Sequence, residues 1–194
     1  MISKLSALLT QYICKKNTYD LSLDNIEKIN YAIIIILGET FKLFFLFFLF
    51  ASLGTINYFT FSLLILLSIR IFAGGFHAEN SIKCILFSTL FFLCTCIFIF
   101  WIPNLSRMNY YIISAASIIL NIIYSPLPSK NRPIISIKRK RHLKFISVIS
   151  TIIWIYVLFF FIEDRTMFKC GIFTIFLQSI QLLIFRKGRD SNEK

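Results

Sequence analysis

Charge is what this 194-residue chain has little of: 15% of its residues are charged, and only 9 of them are acidic. Soluble domains usually carry about 25% charged and about 45–50% apolar residues. Here 57% are apolar, 23 are Phe, and mean hydropathy is +0.76. Those figures exclude a disordered chain and an ordinary soluble core, and leave an integral membrane protein. Histidine is scarcer still, with only His77 and His142. Two distant histidines and no H-E-x-x-H give no three-ligand zinc site, so neither metal nor cofactor is expected. His77-Ala78-Glu79 has the H-x-E form of zinc deaminases but lacks their P-C-x-x-C partner, and a Ser-His-Asp triad has no nucleophile elbow to sit on. The five cysteines are odd in number, irregularly spaced and form no C-x-x-C, which argues against a disulfide framework. Cys94 and Cys96 lie deep in an apolar run, where a thiol acts as a small hydrophobe. No cleavable secretory signal is expected either, because the first thirty residues are mixed polar and the later apolar runs are too long for one.

What the chain does have is a set of apolar runs of about 20 residues, the length that crosses a bilayer as a helix. Six qualify, near 31–53, 57–73, 83–102, 108–126, 144–162 and 167–185. The first is interrupted by Gly38-Glu39-Thr40-Phe41-Lys42, where Glu39 and Lys42 can pair on one helix face or mark a kink. The expected class is therefore all-α: a polytopic membrane protein of about six spans in a single domain, with residues 1–30 before the bundle, 31–185 within it and 186–194 as a tail. Basic residues are retained on the cytoplasmic side. With both termini inside, 17 Lys and Arg fall in cytosolic segments and three (Arg107, Arg165, Lys169) outside, with Lys42 inside a span. The net charge of +12 then follows from topology and from attraction to anionic inner-leaflet lipid, and nucleic acid is not an expected partner.

Before the first span, Leu5, Leu8, Leu9, Tyr12 and Ile13 recur at helical spacing and gather into one apolar stripe. This predicts a helix lying in the membrane interface, serving either as an anchor or as a dock for an amphipathic substrate. A second helix is expected to begin near Asp20 or Ser22 and to run through Ile26 and Ile29 into the membrane.

His77 and Cys84 are the only His and Cys close together in sequence, in the connection after the second span. The cytosol keeps a thiol reduced. Cys84 falls in the first turn of the third span, beside Lys83, where helix N–H groups favour an anion. With His77 as general base, the pair defines an activated nucleophile. In one continuous helix the two Cα atoms would stand about 10.5 Å apart, too far for a hydrogen bond. Gly74 and Gly75 can end one helix and Asn80-Ser81 can start the next, so His77 is expected on a loop folded back over the start of the third span.

At these positions the chain resembles the AgrB family, through Arg70, Gly75, His77-Ala78 and Cys84. The stretch Tyr124-Ser-Pro126-Leu-Pro-Ser-Lys130-Asn-Arg-Pro133-Ile, followed by Lys138-Arg139-Lys140-Arg141, is similar to the family's Pro-containing basic loop. The resemblance extends over most of the chain and implies a bacterial membrane cysteine endopeptidase of quorum sensing, working on an AgrD-like propeptide at the cytosolic face. It implies His77 and Cys84 as the catalytic pair, Arg70 and Gly75 as supporting residues, and a homodimer, and leaves a third catalytic residue open between Glu79 and Ser81. In that chemistry the C-terminal tail is released, a Cys84 thioester forms, and the retained peptide closes into a thiolactone or lactone. Lys138, Arg139, Lys140 and Arg141 either bind an acidic substrate tail or simply fix topology. A small transporter, a substrate-binding subunit or a noncatalytic scaffold is the alternative, distinguished by whether Cys84 alone among five cysteines is reactive and essential.

Overall fold

A computed structural model describes residues 2–16, 22–75, 81–127 and 136–192. His77 and Glu79 lie outside the described residues. Seven α-helices run through the described residues: α1 (Ile2–Lys16), α2 (Leu23–Ser52), α3 (Ile56–Ala73), α4 (Ser81–Cys96), α5 (Arg107–Tyr124), α6 (Ile137–Phe161) and α7 (Arg165–Asn192). A short 3₁₀ turn, Phe98–Phe100, follows α4. The chain divides into two units, Met1–Leu53 and Gly54–Lys194.

In the first unit α1 packs on α2 through its polar side. Ser6 and Thr10 are buried, and the Thr10 hydroxyl lies 2.8 Å from the Ser6 carbonyl and 3.3 Å from Asn30 Oδ1 of α2. The apolar stripe Leu5, Leu8, Leu9, Tyr12 and Ile13 is exposed. Ser22 occupies the N-cap position of α2 with extended backbone, although its side chain makes no capping bond. The helix then runs unbroken for 30 residues, about 45 Å at 1.5 Å per residue and longer than the roughly 30 Å hydrocarbon core. Of the two alternatives at Gly38–Lys42 the first holds: the helix continues through, and Lys42 pairs with Glu39 one turn away.

In the second unit α3 packs against α4, α6 and α7, and α5 against α6 and α7. Its apolar core joins Ile65, Ile69 and Ala73 of α3 to Tyr110, Leu158, Ile172, Ile175 and Leu182. Polar groups bridge the same helices. Between α3, α4 and α7, Ser62 Oγ lies 2.9 Å from Cys170 Sγ and accepts from Thr174 at 3.0 Å, while the sulfurs of Cys96 and Cys170 approach to 3.8 Å. Between α5 and α6, Asn121 donates to Thr151 Oγ1 at 2.6 Å and accepts from Ser147 Oγ at 2.9 Å. Trp154 Nε1 donates to Ser68 Oγ, and Ser179 Oγ to the Ser117 carbonyl at 3.2 Å. Large apolar side chains face outward instead, among them Phe48, Ile71, Ile112, Ile153 and Phe160. An apolar core laced with small polar residues bonded between helices, under an apolar exterior, is the pattern of helices packed in lipid, where apolar burial alone gives little drive for association.

Five helices are long and apolar enough to cross a membrane: α2, α3, α4 with its 3₁₀ turn, α6 and α7. α5 stands where the fourth span was expected but is not among the five. Its 18 residues include Arg107, Asn109 and Asn121, which lower its hydropathy, and its Ser114, Ser117 and Asn121 are buried against neighbours. The basic run 138–144, expected in a connection, forms the first two turns of α6 behind an N-cap at Ser136. Lys169, counted above as an outer-loop charge, is buried. Its ammonium donates to the carbonyls of Ile99 at 3.4 Å and Ile102 at 3.2 Å, satisfying acceptors left free where the 3₁₀ turn ends.

The Asn121–Thr151 bond should stabilise the α5–α6 pair by about 1 kcal/mol, within the range for interhelical hydrogen bonds in lipid. A double-mutant cycle of Asn121→Leu and Thr151→Val, read by unfolding in mixed micelles, is expected to return a coupling of that size; zero coupling would assign α5–α6 packing to shape alone.

Candidate active site

The helix ends around Cys84 are set by one backbone junction. At the end of α3, Gly74 adopts φ +75°, a left-handed backbone that glycine takes without strain, and its N–H closes the helix on the Arg70 carbonyl at 2.9 Å. Leu127, just past α5, runs parallel to it and donates its N–H to the Ala73 carbonyl at 2.8 Å. The side-chain amide of Gln178, buried on α7, donates to the Gly74 carbonyl at 3.1 Å. The two long connections of the chain, after Gly74 and after Leu127, therefore leave from adjacent points.

Beside the junction, Gly75 touches Arg70. A Cβ on Gly75 would stand 2.6 Å from Arg70 Nε and 2.9 Å from its Cζ, so the guanidinium occupies space that only glycine leaves open. Two residues named separately as supporting residues from the sequence are thus in direct contact. Arg70 and Cys84 in turn line one cavity of about 30 Å³, room for a water or two. Cys84, half-buried and reduced, enters from the first turn of α4. Arg70 and Leu66 enter from α3, and Gln181 and Phe185 from α7, with Phe87, Ser88, Phe91 and Phe92 completing the wall. The Gln181 carbonyl oxygen is buried without a hydrogen-bond partner.

Of the other expected site residues, Ser81 opens α4, and His77 and Glu79 fall in residues 76–80, outside the described residues. The run Lys138–Arg141 is divided: Lys140 and Arg141 line a second cavity, with Lys144 and Arg186, whereas Lys138 and Arg139 do not. Sequence reasoning missed Gln181 and Gln178. The available signal was two glutamines three residues apart in an apolar span, where an amide needs an internal partner.

A bundle of apolar helices with a thiol and a guanidinium in one interior cavity defines a multi-pass membrane protein with a cysteine site. The family model of accessory gene regulator B, AgrB, matches residues 6–182, and the chain belongs to the AgrB family. It is 32% identical over its full length to an AgrB-like protein of Clostridium beijerinckii, 95% of which is covered. No solved structure matches it. Family membership implies a part in agr quorum-sensing propeptide processing.

The two adjacent glycines give a paired test. Gly74→Ala places a Cβ 2.3 Å from the Leu127 carbonyl oxygen at positive φ, whereas Gly75→Ala meets a movable side chain. Gly74→Ala should cost about 2 kcal/mol or more, and Gly75→Ala less than about 1 kcal/mol. Thermal unfolding of both variants in one detergent checks this, and equal losses would mean that Arg70 is as rigidly held as the backbone.

Proposed function

We propose that the protein is a membrane cysteine endopeptidase that releases the C-terminal tail of a quorum-sensing propeptide through a Cys84 thioester and promotes ring closure of the remainder. The observation that carries this reading is the shared cavity of Cys84, Arg70 and Gln181, with Gly75 packed under the guanidinium. His77 is the general base.

Cys84 Sγ attacks a substrate backbone carbonyl while His77 takes the thiol proton. Collapse of the tetrahedral intermediate breaks the C–N bond, and His77 returns the proton to the departing amine. A thiol or hydroxyl of the retained peptide then attacks the thioester and displaces Cys84. Backbone N–H groups at the start of α4 and the Arg70 guanidinium are donors for the oxyanion. The unpartnered Gln181 carbonyl is an acceptor for a substrate N–H. The exposed stripe of α1, Leu5 to Ile13, supports an interfacial helix. α5, packed between α6 and α7, completes six spans with both termini and the site on the cytosolic face, as the basic residues require.

Cys84→Ala and His77→Ala should each abolish tail release while the protein still accumulates in the membrane. Normal cleavage by either variant sinks the dyad. Gln181→Leu is expected to reduce release by about threefold to tenfold, the worth of one neutral hydrogen bond, and an unchanged rate removes Gln181 from substrate binding. Selective alkylation of Cys84 with loss of activity, sparing the other four cysteines, separates the enzyme from a scaffold or transporter.

A further inference from the structure

A second cavity, of about 280 Å³, opens where the end of α5, the start of α6 and the end of α7 meet. Four cations line it: Lys140, Arg141 and Lys144 of α6, and Arg186 of α7. Arg186 is held at the rim by donating to the Ile123 carbonyl at 3.4 Å. Deeper in, Ser125 is 3% exposed and its hydroxyl has no hydrogen-bond partner. A buried hydroxyl without a partner costs free energy, and this one borders a cleft with four positive charges and, among the described residues, no acidic side chain in its lining. An anion with oxygen acceptors would satisfy both features at once.

We infer that this cleft is a binding site for the phosphate headgroup of an anionic phospholipid. The apolar lining favours a lipid over an acidic peptide. Ile123 forms one wall and is 52% exposed, and the exposed stripe continues along α5 through Ile119 and Ile112, away from the charged end and along the bundle. A headgroup held by the cations would lay its acyl chain on that stripe, whereas an acidic peptide tail gains nothing from it. Basic pockets between membrane helices at the interface recognise anionic headgroups in this way. The inference divides the basic run: Lys140 and Arg141 hold the lipid, while Lys138 and Arg139, outside the cleft, act only in general surface attraction. It does not depend on peptidase activity.

Native mass spectrometry of the full-length protein, released from detergent with phosphatidylglycerol or phosphatidylcholine of matched chains, tests it. The wild type should retain one phosphatidylglycerol with a preference of about a hundredfold over phosphatidylcholine. Lys140→Gln with Arg141→Gln should lower that preference by about tenfold or more. Lys138→Gln with Arg139→Gln, the same charge change two residues earlier on the helix, should leave it within about twofold. Ser125→Ala, which removes no charge, should lower it by about threefold, a change that diffuse attraction would not produce. Absence of a phosphatidylglycerol preference in the wild type overturns the proposal, as does an equal loss in the two double variants. Displacement of the lipid by millimolar inorganic phosphate would reassign the cleft to a soluble phosphate. Occupancy by an acidic peptide in preference to the lipid would reassign it to the substrate tail.

Discussion

The bond from the Leu127 N–H to the Ala73 carbonyl, reinforced by the Gln178 amide on the Gly74 carbonyl, ties the ends of α3 and α5 to the middle of α7. Without it the last carbonyls of α3 would have no partner in a setting where unsatisfied backbone is costly. It is possible only because Gly74 lacks a Cβ and tolerates positive φ. Once the chain turns there, Gly75 leaves beneath Arg70, and the guanidinium is directed into the space that Cys84 enters from α4. The same junction sets the end of α5, and with it Ser125 and Ile123 at the basic cleft. The two cavities are consequences of one backbone crossing, placed on either side of the end of α7.

Elsewhere the bundle is held by small polar contacts. Lipid chains are as apolar as Leu or Phe, so exposing Phe48 or Phe160 costs little in a membrane, and burying them would gain little. Buried positions go instead to Ser62, Thr174, Ser147 and Asn121, each bonded across a helix pair. Lys169 follows the same rule: its charge is tolerable in the interior because two carbonyls surround it.

Much of this was legible in the residues. Long apolar runs located the helices, since length and composition alone mark a span, but they missed the polar turns at which α6 begins and α7 ends. The stripe on α1 was readable because helical periodicity shows which residues share a face, and Leu5, Leu8, Leu9, Tyr12 and Ile13 are exposed. Three features were not legible. At Gly38–Lys42 the sequence left an ion pair and a kink both open, since intrinsic propensity does not choose between a pair that spans the turn and a break in it. The basic run looked like a connection because charge suggests solvent, yet Ser136 starts a helix there and sorts its side chains by face, sending Lys140, Arg141 and Lys144 to the cleft. Gln181 was hidden because its meaning depends on what α3 and α4 bring opposite it, and no pattern within α7 carries that information. Arg70 and Gly75 were each singled out in the sequence, but their contact, a guanidinium lying where a Cβ would be, is visible only in three dimensions.

On the proposed mechanism, the narrowness of the Cys84 cavity bears on the fate of the thioester. Exchange of one S-acyl bond for another has almost no chemical driving force, so ring closure has to outrun hydrolysis kinetically. Well-oriented intramolecular nucleophiles reach effective molarities of about 10⁵ M and above, far beyond the concentration of water. That advantage exists only while the substrate is held in the attacking pose. A cavity of about 30 Å³ walled by Phe87, Phe91, Phe92 and Phe185 admits too little water to compete, and leaves the bulk of the peptide at its mouth, where the retained nucleophile can turn back toward the acyl carbon. Enlarging the cavity would therefore shift the product from ring to open chain before it lowered the rate of tail release, because the first step needs only Cys84 and its base whereas the second needs water to be absent.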